Sequence, residues 1–508
     1  MTTKSILFAA SLLLCPWGSR AAVITINVDS TRQQTITGFG AAACKGLMEP
    51  IRDDSIISLL YGDDSPVGLN ILRMEISPNL KGDIITDNGW DTPYDWHGYL
   101  PAVREAKSRG AIVFGTPWSP PGEYKTNGTS KGGNSEEQGY QRGELKAASY
   151  RRFFPWLNAY LKYMSDNDAA VDAVAIQNEP DWWVDYSGCL YTPEQMHDLV
   201  KGYAKDLNKE KYGVRLIGGE SYYFNPDYTT ALLDDPDTEP YIDIIGGHIY
   251  GNPPLGNMKT AATIATAYGK ETWMTEHTFE NLNNHDGLPT WHEDLLFAEE
   301  VNESMLAGIS AYIYWYMIAN WSFVGSGEEK HQPGNDYGTL LRRGYVMSHF
   351  SKFLTGSTRL ETTSNISVKT NAPFEQSAYV KGDSVIVMAI DTTKNAHTLR
   401  ITLPWAVSGG EVIRSTEDAL CQHIPLDISE PATTVEVEMP AYSLSTIVFK
   451  IDQGASAIAV HTSPSASHAT ALFDLQGRRA ASGAAADGRL RSGLYVENGR
   501  KVLLPLRR

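Results

Sequence analysis

The chain has 508 residues, enough for one large enzyme domain with appendages. Hydrophobic residues make up 42%, and 12 Trp, 26 Tyr and 14 Phe supply both core volume and flat apolar faces of the kind that stack on sugar rings. A net charge of -17 repels phosphate backbones, which excludes broad nucleic-acid binding and gives no sign of an anionic membrane partner.

In chain order, Lys4 precedes an apolar run over residues 6–14 that is too short to span a bilayer. Ser19-Arg20-Ala21 offers small residues at a cleavage position. Residues 1–21 therefore read as a signal peptide, and the mature chain is expected to begin near Ala22 and to be secreted to the exterior or surface of a bacterial cell. Cys15 raises a lipoprotein alternative, against which Leu14 is a poor lipobox residue. No later segment is long and apolar enough to insert in a membrane. Residues 22–36 stand outside the pattern that follows; the run 23–28 is expected to cross over and join a later β domain.

From residue 37 to 354, short apolar runs alternate with helical ones. Strands are predicted at 36–41, 69–76, 111–116, 171–177, 214–218, 242–247, 271–275 and 310–315. Helices are predicted at 49–61, 98–109, 150–167, 192–212, 228–235, 255–267, 291–307 and 342–353. Several strands are continuous apolar runs, as when both faces are buried. Eight strand–helix repeats predict an α/β fold, the (β/α)8 TIM barrel. A doubly wound sheet competes, but no Gly-x-Gly-x-x-Gly turn follows the first strand.

After residue 354 the period changes to two, at 377–380, 384–390, 397–402, 433–437 and 445–450, so residues 355–452 read as a side antiparallel β-sandwich. Residues 453–469 are small and Ser/Ala-rich and read as a linker. Residues 470–508 form a compact C-terminal β tail.

Without Cys15, an odd set remains: Cys44, Cys189 and Cys421. That is no disulfide framework; buried free thiols are expected, with a Cys44–Cys189 bridge left open. There is no Cys-x-x-Cys or His-Glu-x-x-His, and His277, His285 and His292 are spaced like no familiar metal site, so neither metal nor cofactor is expected.

Barrel enzymes carry their reacting groups at the C-terminal ends of the strands. Those ends are Arg73 and Glu75, Trp118, Asn178 and Glu179, Glu220, His248 and Tyr250, Glu276, and Trp315. Glu179 ends Ala175-Ile176-Gln177-Asn178-Glu179-Pro180, and Glu276 ends Glu271-Thr272-Trp273-Met274-Thr275-Glu276. A glycosidic bond needs one group to protonate the leaving oxygen and another to attack the anomeric carbon or position water. Two carboxyls do both, and a gap of roughly 5–5.5 Å implies retention. The fourth and seventh strands of a barrel face each other across its mouth. A strand-end glutamate taken singly is more often an ordinary salt-bridged or exposed carboxylate; two at opposed tips point to catalysis.

Asn178-Glu179-Pro180 resembles the acid/base signature of the (β/α)8 glycosidases with catalytic glutamates on strands four and seven. Within that clan the chain resembles glycoside hydrolase family 30. The motifs that carry this are Thr37-Gly38-Phe39-Gly40, Leu69-Asn70-Ile71-Leu72-Arg73, Thr116-Pro117-Trp118-Ser119-Pro120-Pro121, His248-Ile249-Tyr250-Gly251, Trp273-Met274-Thr275-Glu276 and the run from Arg343 to Phe353. The resemblance covers about residues 23 to 452. It implies Glu179 as general acid/base and Glu276 as nucleophile. It also implies Asn178 on the sugar 2-hydroxyl, Arg73 holding Glu276 ionised, and Trp118, Tyr250 and Trp315 walling the subsite. His248 would orient a catalytic carboxylate, although a structural histidine fits the residue as well.

The motifs are most similar to the family's xylan-cleaving bacterial branch, which implies an endo-acting hydrolase of β-1,4-xylan. Many enzymes of that branch grip a glucuronate branch with an arginine and tyrosines near strands seven and eight. Here Tyr316-Met317-Ile318-Ala319-Asn320-Trp321 has no arginine, Lys330 is the only basic side chain besides histidines before Arg342, and His277-Thr278-Phe279-Glu280 lacks tyrosine. Weak or no dependence on glucuronate is expected, because Lys330 replaces a bidentate fork poorly. The pairs Trp182-Trp183 and Tyr222-Tyr223 are candidates for stacking on neighbouring sugars. The family also includes β-1,6-glucanases, β-glucosidases, β-xylosidases and glucosylceramidases; a non-catalytic carbohydrate-binding protein is the alternative class. The tail, with Ala471-Leu472-Phe473-Asp474-Leu475-Gln476-Gly477 and Ser492-Gly493-Leu494-Tyr495-Val496, resembles the C-terminal sorting domains of Bacteroidetes secreted proteins. That implies the outer-membrane secretion machinery as a partner besides the polysaccharide substrate.

Overall fold

The computed structural model describes residues 22–43, 54–78, 96–251, 255–279, 288–319, 321–327, 336–366 and 373–453, and four short strands of the tail. The readings on residues 1–21, Cys44, His285, Asn320, Lys330 and most of the linker fall outside these residues. Cys189 and Cys421 are free thiols.

Strand β1 (Ala22–Thr35) precedes the barrel. Eight parallel strands then close on themselves: β2 (Gly38–Ala43), β3 (Ile71–Ile76), β4 (Ile112–Pro117), β5 (Ala173–Ala175), β6 (Arg215–Ser221), β7 (Ile244–His248), β8 (Glu271–Glu276) and β9 (Ala311–Tyr316). Ile71, Phe114, Ala173, Ala175, Ile217, Ile244, Trp273, Ala311 and Ile313 make one compact cluster that fills the barrel's interior. The alternate residues, such as Leu72, Val113, Val174, Leu216, Met274 and Tyr312, pack outward among the helices. Both faces are therefore buried, which is why the strands read as unbroken apolar runs.

The helices are α1 (Asp54–Leu60), α2 (Leu100–Ser108), α3 (Tyr150–Asp166), α4 (Pro193–Tyr203), α5 (Lys209–Tyr212), α6 (Pro226–Leu233), α7 (Leu255–Ala267), α8 (Trp291–Leu306) and α9 (Arg342–Leu354). Capping boxes start two of them: Thr192 with Gln195 begins α4, and Thr290 with Glu293 begins α8. The single helix predicted over 192–212 is instead broken into α4 and α5. Asn158 on α3 causes or secures the break, since its amide accepts from the Asn208 N–H and donates to the Asp206 carbonyl. A side chain from another helix thus meets the backbone groups that a continuous helix would have paired internally.

Beyond the barrel lie β10 (Thr358–Ser364), β11 (Phe374–Lys381), β12 (Ser384–Asp391), β13 (His397–Thr416), β14 (Ala419–Leu426), β15 (Ala432–Met439) and β16 (Ser443–Ile451). With β1 they form one eight-stranded sheet. Strand β13 is long and changes register between Thr402 and Val407; its first part pairs with β1 and β15, its second with β14 and β16. One pairing departs from the antiparallel expectation: β1 runs parallel to β13. No hairpin joins these two strands, so turn geometry does not impose an antiparallel partner. The alternation rule overlooked β10 and β14, whose Thr358-Arg359-Leu360-Glu361-Thr362 and Gln422-His423-Ile424 stretches carry too few apolar residues to show a buried face. The tail, a separate unit, has strands β17 (Ala471–Phe473), β18 (Arg479–Ser482), β19 (Gly493–Glu497) and β20 (Arg500–Leu504) in one antiparallel sheet.

The side sheet docks on α8 and α9 through buried polar contacts. His349 lies between Thr446 at 2.9 Å and Ser415 at 2.8 Å. Asn302 donates to Glu375 at 2.9 Å and accepts from Ser377 at 2.6 Å. Glu375 on β11 is fully buried, and burial pushes its carboxyl up to about 9, with Asn302 opposing and the nearby Glu303 and Glu299 of α8 adding to the rise. Because this folded-state value lies above the unfolded value near 4.5, the protonated group's contribution is complete below 4.5 and is lost as pH rises toward 9. Glu375→Gln keeps the acceptor for Asn302 and removes the titration. It is expected to stabilise the protein by about 1–3 kcal/mol at pH 8 and to leave stability unchanged near pH 4. Calorimetric Tm against pH checks this; parallel curves for the two proteins would refute it.

Candidate active site

Strand alternation alone does not aim all the candidate residues at the barrel mouth. On β3 it does: Ile71 points inward, so Arg73 and Glu75 follow it. On β8, Trp273 points in and Met274 out, which would send Glu276 outward. The ladder slips here: Gly247 pairs with Met274, but the next residue, His248, pairs with Glu276. One extra residue on β8 reverses the parity and turns Glu276 inward. The same device acts on β6, where the register shifts between Gly219 and Ser221 around Glu220. Glu220 takes φ 54°, and Gly246 leaves room for its side chain, since a Cβ there would lie 2.7 Å from the Glu220 Cγ. Glu179 also sits in the left-handed region, at φ 45°, and its N–H donates to the Glu220 carbonyl at 3.0 Å. Two non-glycine residues held so cost about 1–3 kcal/mol each, and strain of this kind collects at functional sites.

The side chains converge. An oxygen of Glu179, an oxygen of Glu276 and a nitrogen of His248 all lie within 4.8 Å of one another, and all three residues are buried. Arg73, fully buried, pairs through Nη1 with Glu276; its Nη2 donates to Asn178 Oδ1 at 2.7 Å and lies 3.5 Å from Glu220. Tyr250 donates to Glu276 Oε1 at 2.9 Å. His248 Nδ1 is 3.0 Å from Glu179 Oε1. Trp118 and Trp315 meet at 5.6 Å, and the Arg73 guanidinium lies over both rings, 4.7 Å and 5.9 Å from their centres. The eight strand-end residues to which the family resemblance gives roles are therefore in one constellation. Glu220 joins it from β6, and His277 packs on the Tyr250 ring at 5.0 Å while bonding Glu300.

The two carboxyls differ electrostatically. Burial lifts Glu179 well above the usual carboxylate range, the negative charge of Glu276 adds to that, and Arg73 opposes it from farther away. Burial raises Glu276 too, but the charge and hydrogen bond of Arg73, then the Tyr250 hydroxyl, pull it back. Both carboxyls are raised, Glu179 the more, so the surroundings favour a proton on Glu179 and a charge on Glu276. His248 is held well below its normal value by burial first, then by the positive charge of Arg73 and the neighbouring His277 ring, so the imidazole is neutral.

An aromatic run extends from the pair. Trp182 stacks on Tyr222 at 4.2 Å and 8°, and Tyr222 on Tyr250 at 5.2 Å and 24°. Trp183 is engaged elsewhere, donating to the Gly132 carbonyl. Tyr186 escaped the sequence reading. The residue is 40% exposed, yet its hydroxyl is held above its ordinary value by burial, then by the charges of Glu179 and Glu276. It belongs to an irregular loop, where no period marks which residues face a cleft.

No family model matches the chain. It is 27% identical over 379 residues to glucuronoxylanase XynC of Bacillus subtilis strain 168, covering 73% of this chain and 78% of that protein. The glycoside hydrolase family 30 subfamily 8 xylanase Xyn30A from Clostridium acetobutylicum superposes with a TM-score of 0.67 at 31% identity, covering 84% of this chain and 99% of that one. A GH30 endoxylanase from Clostridium papyrosolvens C71 superposes with a TM-score of 0.67 at 27% identity, covering 84% of this chain and all of that one. With an eight-stranded barrel, a side β domain joined by the amino-terminal strand, and this degree of identity over nearly the whole of a member's length, the chain belongs to glycoside hydrolase family 30.

Proposed function

We propose that this protein is an endo-acting, retaining hydrolase of β-1,4-xylan that works by double displacement. The observation that carries the mechanism is the pair of buried carboxyls with oxygens within 4.8 Å. That gap suits a nucleophile and an acid/base flanking one bond and is too short for the intervening water of an inverting enzyme, which needs roughly 6.5–9.5 Å between carboxyls.

Glu276 attacks the anomeric carbon while Glu179 protonates the departing oxygen. Arg73 and Tyr250 hold Glu276 charged and oriented in the free enzyme. Esterification neutralises Glu276, which removes the repulsion that kept Glu179 protonated. Glu179 then accepts a proton from water as that water attacks the same carbon, giving net retention. Asn178 has its oxygen engaged by Arg73, which leaves its NH2 to donate to the sugar 2-hydroxyl. Trp118 and Trp315 wall the subsite beneath the attacked sugar.

Xylan as substrate is supported by the likeness to the glucuronoxylanase XynC and to the two clostridial xylanases. Independence from glucuronate is supported by the missing arginine in the loop that follows Trp315. Product analysis tests both. Short xylooligosaccharides with initially β-configured reducing ends are expected from glucuronoxylan, arabinoxylan and linear xylooligosaccharides alike. Cleavage of branched glucuronoxylan alone would refute the specificity, and cleavage of β-1,6-glucan alone would refute the substrate class.

A further inference from the structure

Lys125 lies in the long loop after β4, with none of its side chain exposed. Its ammonium donates to three backbone carbonyls: Ser130 at 2.9 Å, Lys131 at 2.8 Å and Gly188 at 2.5 Å. An ammonium has three donors and is costly to bury unless they are met. Two of these acceptors belong to its own loop. The third belongs to the loop after β5, the one that carries Glu179. Gly143 leaves space for the lysine, since a Cβ there would stand 2.9 Å from its Cε and 3.0 Å from its Nζ.

Around this point the two loops are joined by backbone. Gly132 N–H donates to the Tyr186 carbonyl at 2.7 Å, Asn134 N–H to Val184 at 3.0 Å, Gly188 N–H to Ser130 at 3.1 Å and Leu190 N–H to Gly143 at 2.8 Å. Lys131 and Ser187 form an antiparallel bridge. The joined segment begins directly after Trp182. That residue is three positions from Glu179, donates its N–H to the Glu179 carbonyl at 3.0 Å, and is 38% exposed at the outer end of the stack that runs through Tyr222 to Tyr250.

We propose that Lys125 is a positioning residue for substrate binding: by tying the loop after β4 to the loop after β5, it holds Trp182 as a stacking face for the sugar on the leaving-group side. The inference rests on Glu179 being the acid/base, because the acid stands on the side from which the leaving group departs. The leaving sugar is bound as a neutral pyranose by its apolar face, and no charge on it is required.

Lys125→Met retains the length and apolar stem of the side chain and removes the donors. Hydrogen exchange in this variant is expected to speed up at the amides of Gly132, Asn134 and Gly188, with the barrel amides unchanged. KM for xylan is expected to rise about ten-fold with kcat within about three-fold. The rate of glycosyl-enzyme formation from an aryl glycoside with a good leaving group, which has no leaving-side sugar, is expected to stay within about two-fold. A purely structural role would lower Tm without this split. Trp182→Ala, an exposed change, is expected to give the same KM rise without faster exchange, and it decides the matter if Lys125→Met does not fold. An unchanged KM for xylan in Trp182→Ala, or in folded Lys125→Met, would overturn the proposal. A wild-type enzyme inactive on xylan would instead sink the substrate reading, and the aryl-glycoside and exchange arms would still decide on the loop tie: unchanged exchange in Lys125→Met would overturn it.

Discussion

Glu276→Ala is expected to lower kcat on xylan by about a hundred-thousandfold to a millionfold, the scale seen when a nucleophile that forms a covalent intermediate is removed. The reason is local. Glu276 is the carboxylate that Arg73 and Tyr250 keep charged, and no other described carboxylate is held in that way beside Glu179. Truncation empties the face from which the sugar is attacked while the acid on the other side remains. A small anion such as azide, supplied with an activated glycoside, should occupy the gap and attack from the same face, giving a glycosyl azide of inverted configuration. Nuclear magnetic resonance of the product reads this directly. Retained configuration, or turnover of xylan close to wild type, would remove Glu276 from the role.

Glu179→Ala is the counterpart, with a smaller and more selective loss. General acid and base catalysis contributes about a hundred- to ten-thousandfold, so xylan hydrolysis should fall by that amount. A substrate whose leaving group departs without a proton should still form the glycosyl-enzyme at close to the wild-type rate, and the intermediate should then accumulate. Azide now enters on the water's side and gives a product of retained configuration. The pH profile changes with a definite sign. In the wild type, kcat/KM on xylan falls in acid as Glu276 takes up a proton and falls in alkali as Glu179 loses one; burial and the Glu276 charge place the second limb well above the usual carboxylate range. With Glu179→Ala, the alkaline limb disappears and the acid limb stays. An alkaline limb that survives unchanged would show that another group, with His248 or Tyr250 the first to test, supplies the proton.

Much of this site is legible in the linear chain. The strand-end positions of Arg73, Trp118, Asn178, Glu179, His248, Tyr250, Glu276 and Trp315 follow from where the apolar runs stop, because a parallel strand buried on both faces has little room for polar groups until it reaches the barrel's rim. The breaks in reading have equally local causes. A helix over 192–212 was expected because nothing in that stretch shows that Asn158, some fifty positions earlier, competes for its backbone. The strands at 358–364 and 419–426 were missed because their cross-strand partners, not their own apolar pattern, make them strands.

The order of apolar runs, their eight-fold alternation with helices and the two glutamates at the fourth and seventh tips are properties of the linear chain. They follow from composition and period, which act over a few residues at a time. The direction in which the glutamates point is not such a property. An extra residue in β8 turns Glu276 inward against its alternation, and the left-handed backbone at Glu179 and Glu220 is fixed by contacts between loops and strands, the Glu179 N–H on the Glu220 carbonyl and the space at Gly246 for the Glu220 side chain. The ranking of the two carboxyls likewise needs Arg73, from a strand some two hundred positions away, to lie against one and not the other. Register, strain and charge ranking are set by contacts distant in sequence, so only the folded barrel decides them.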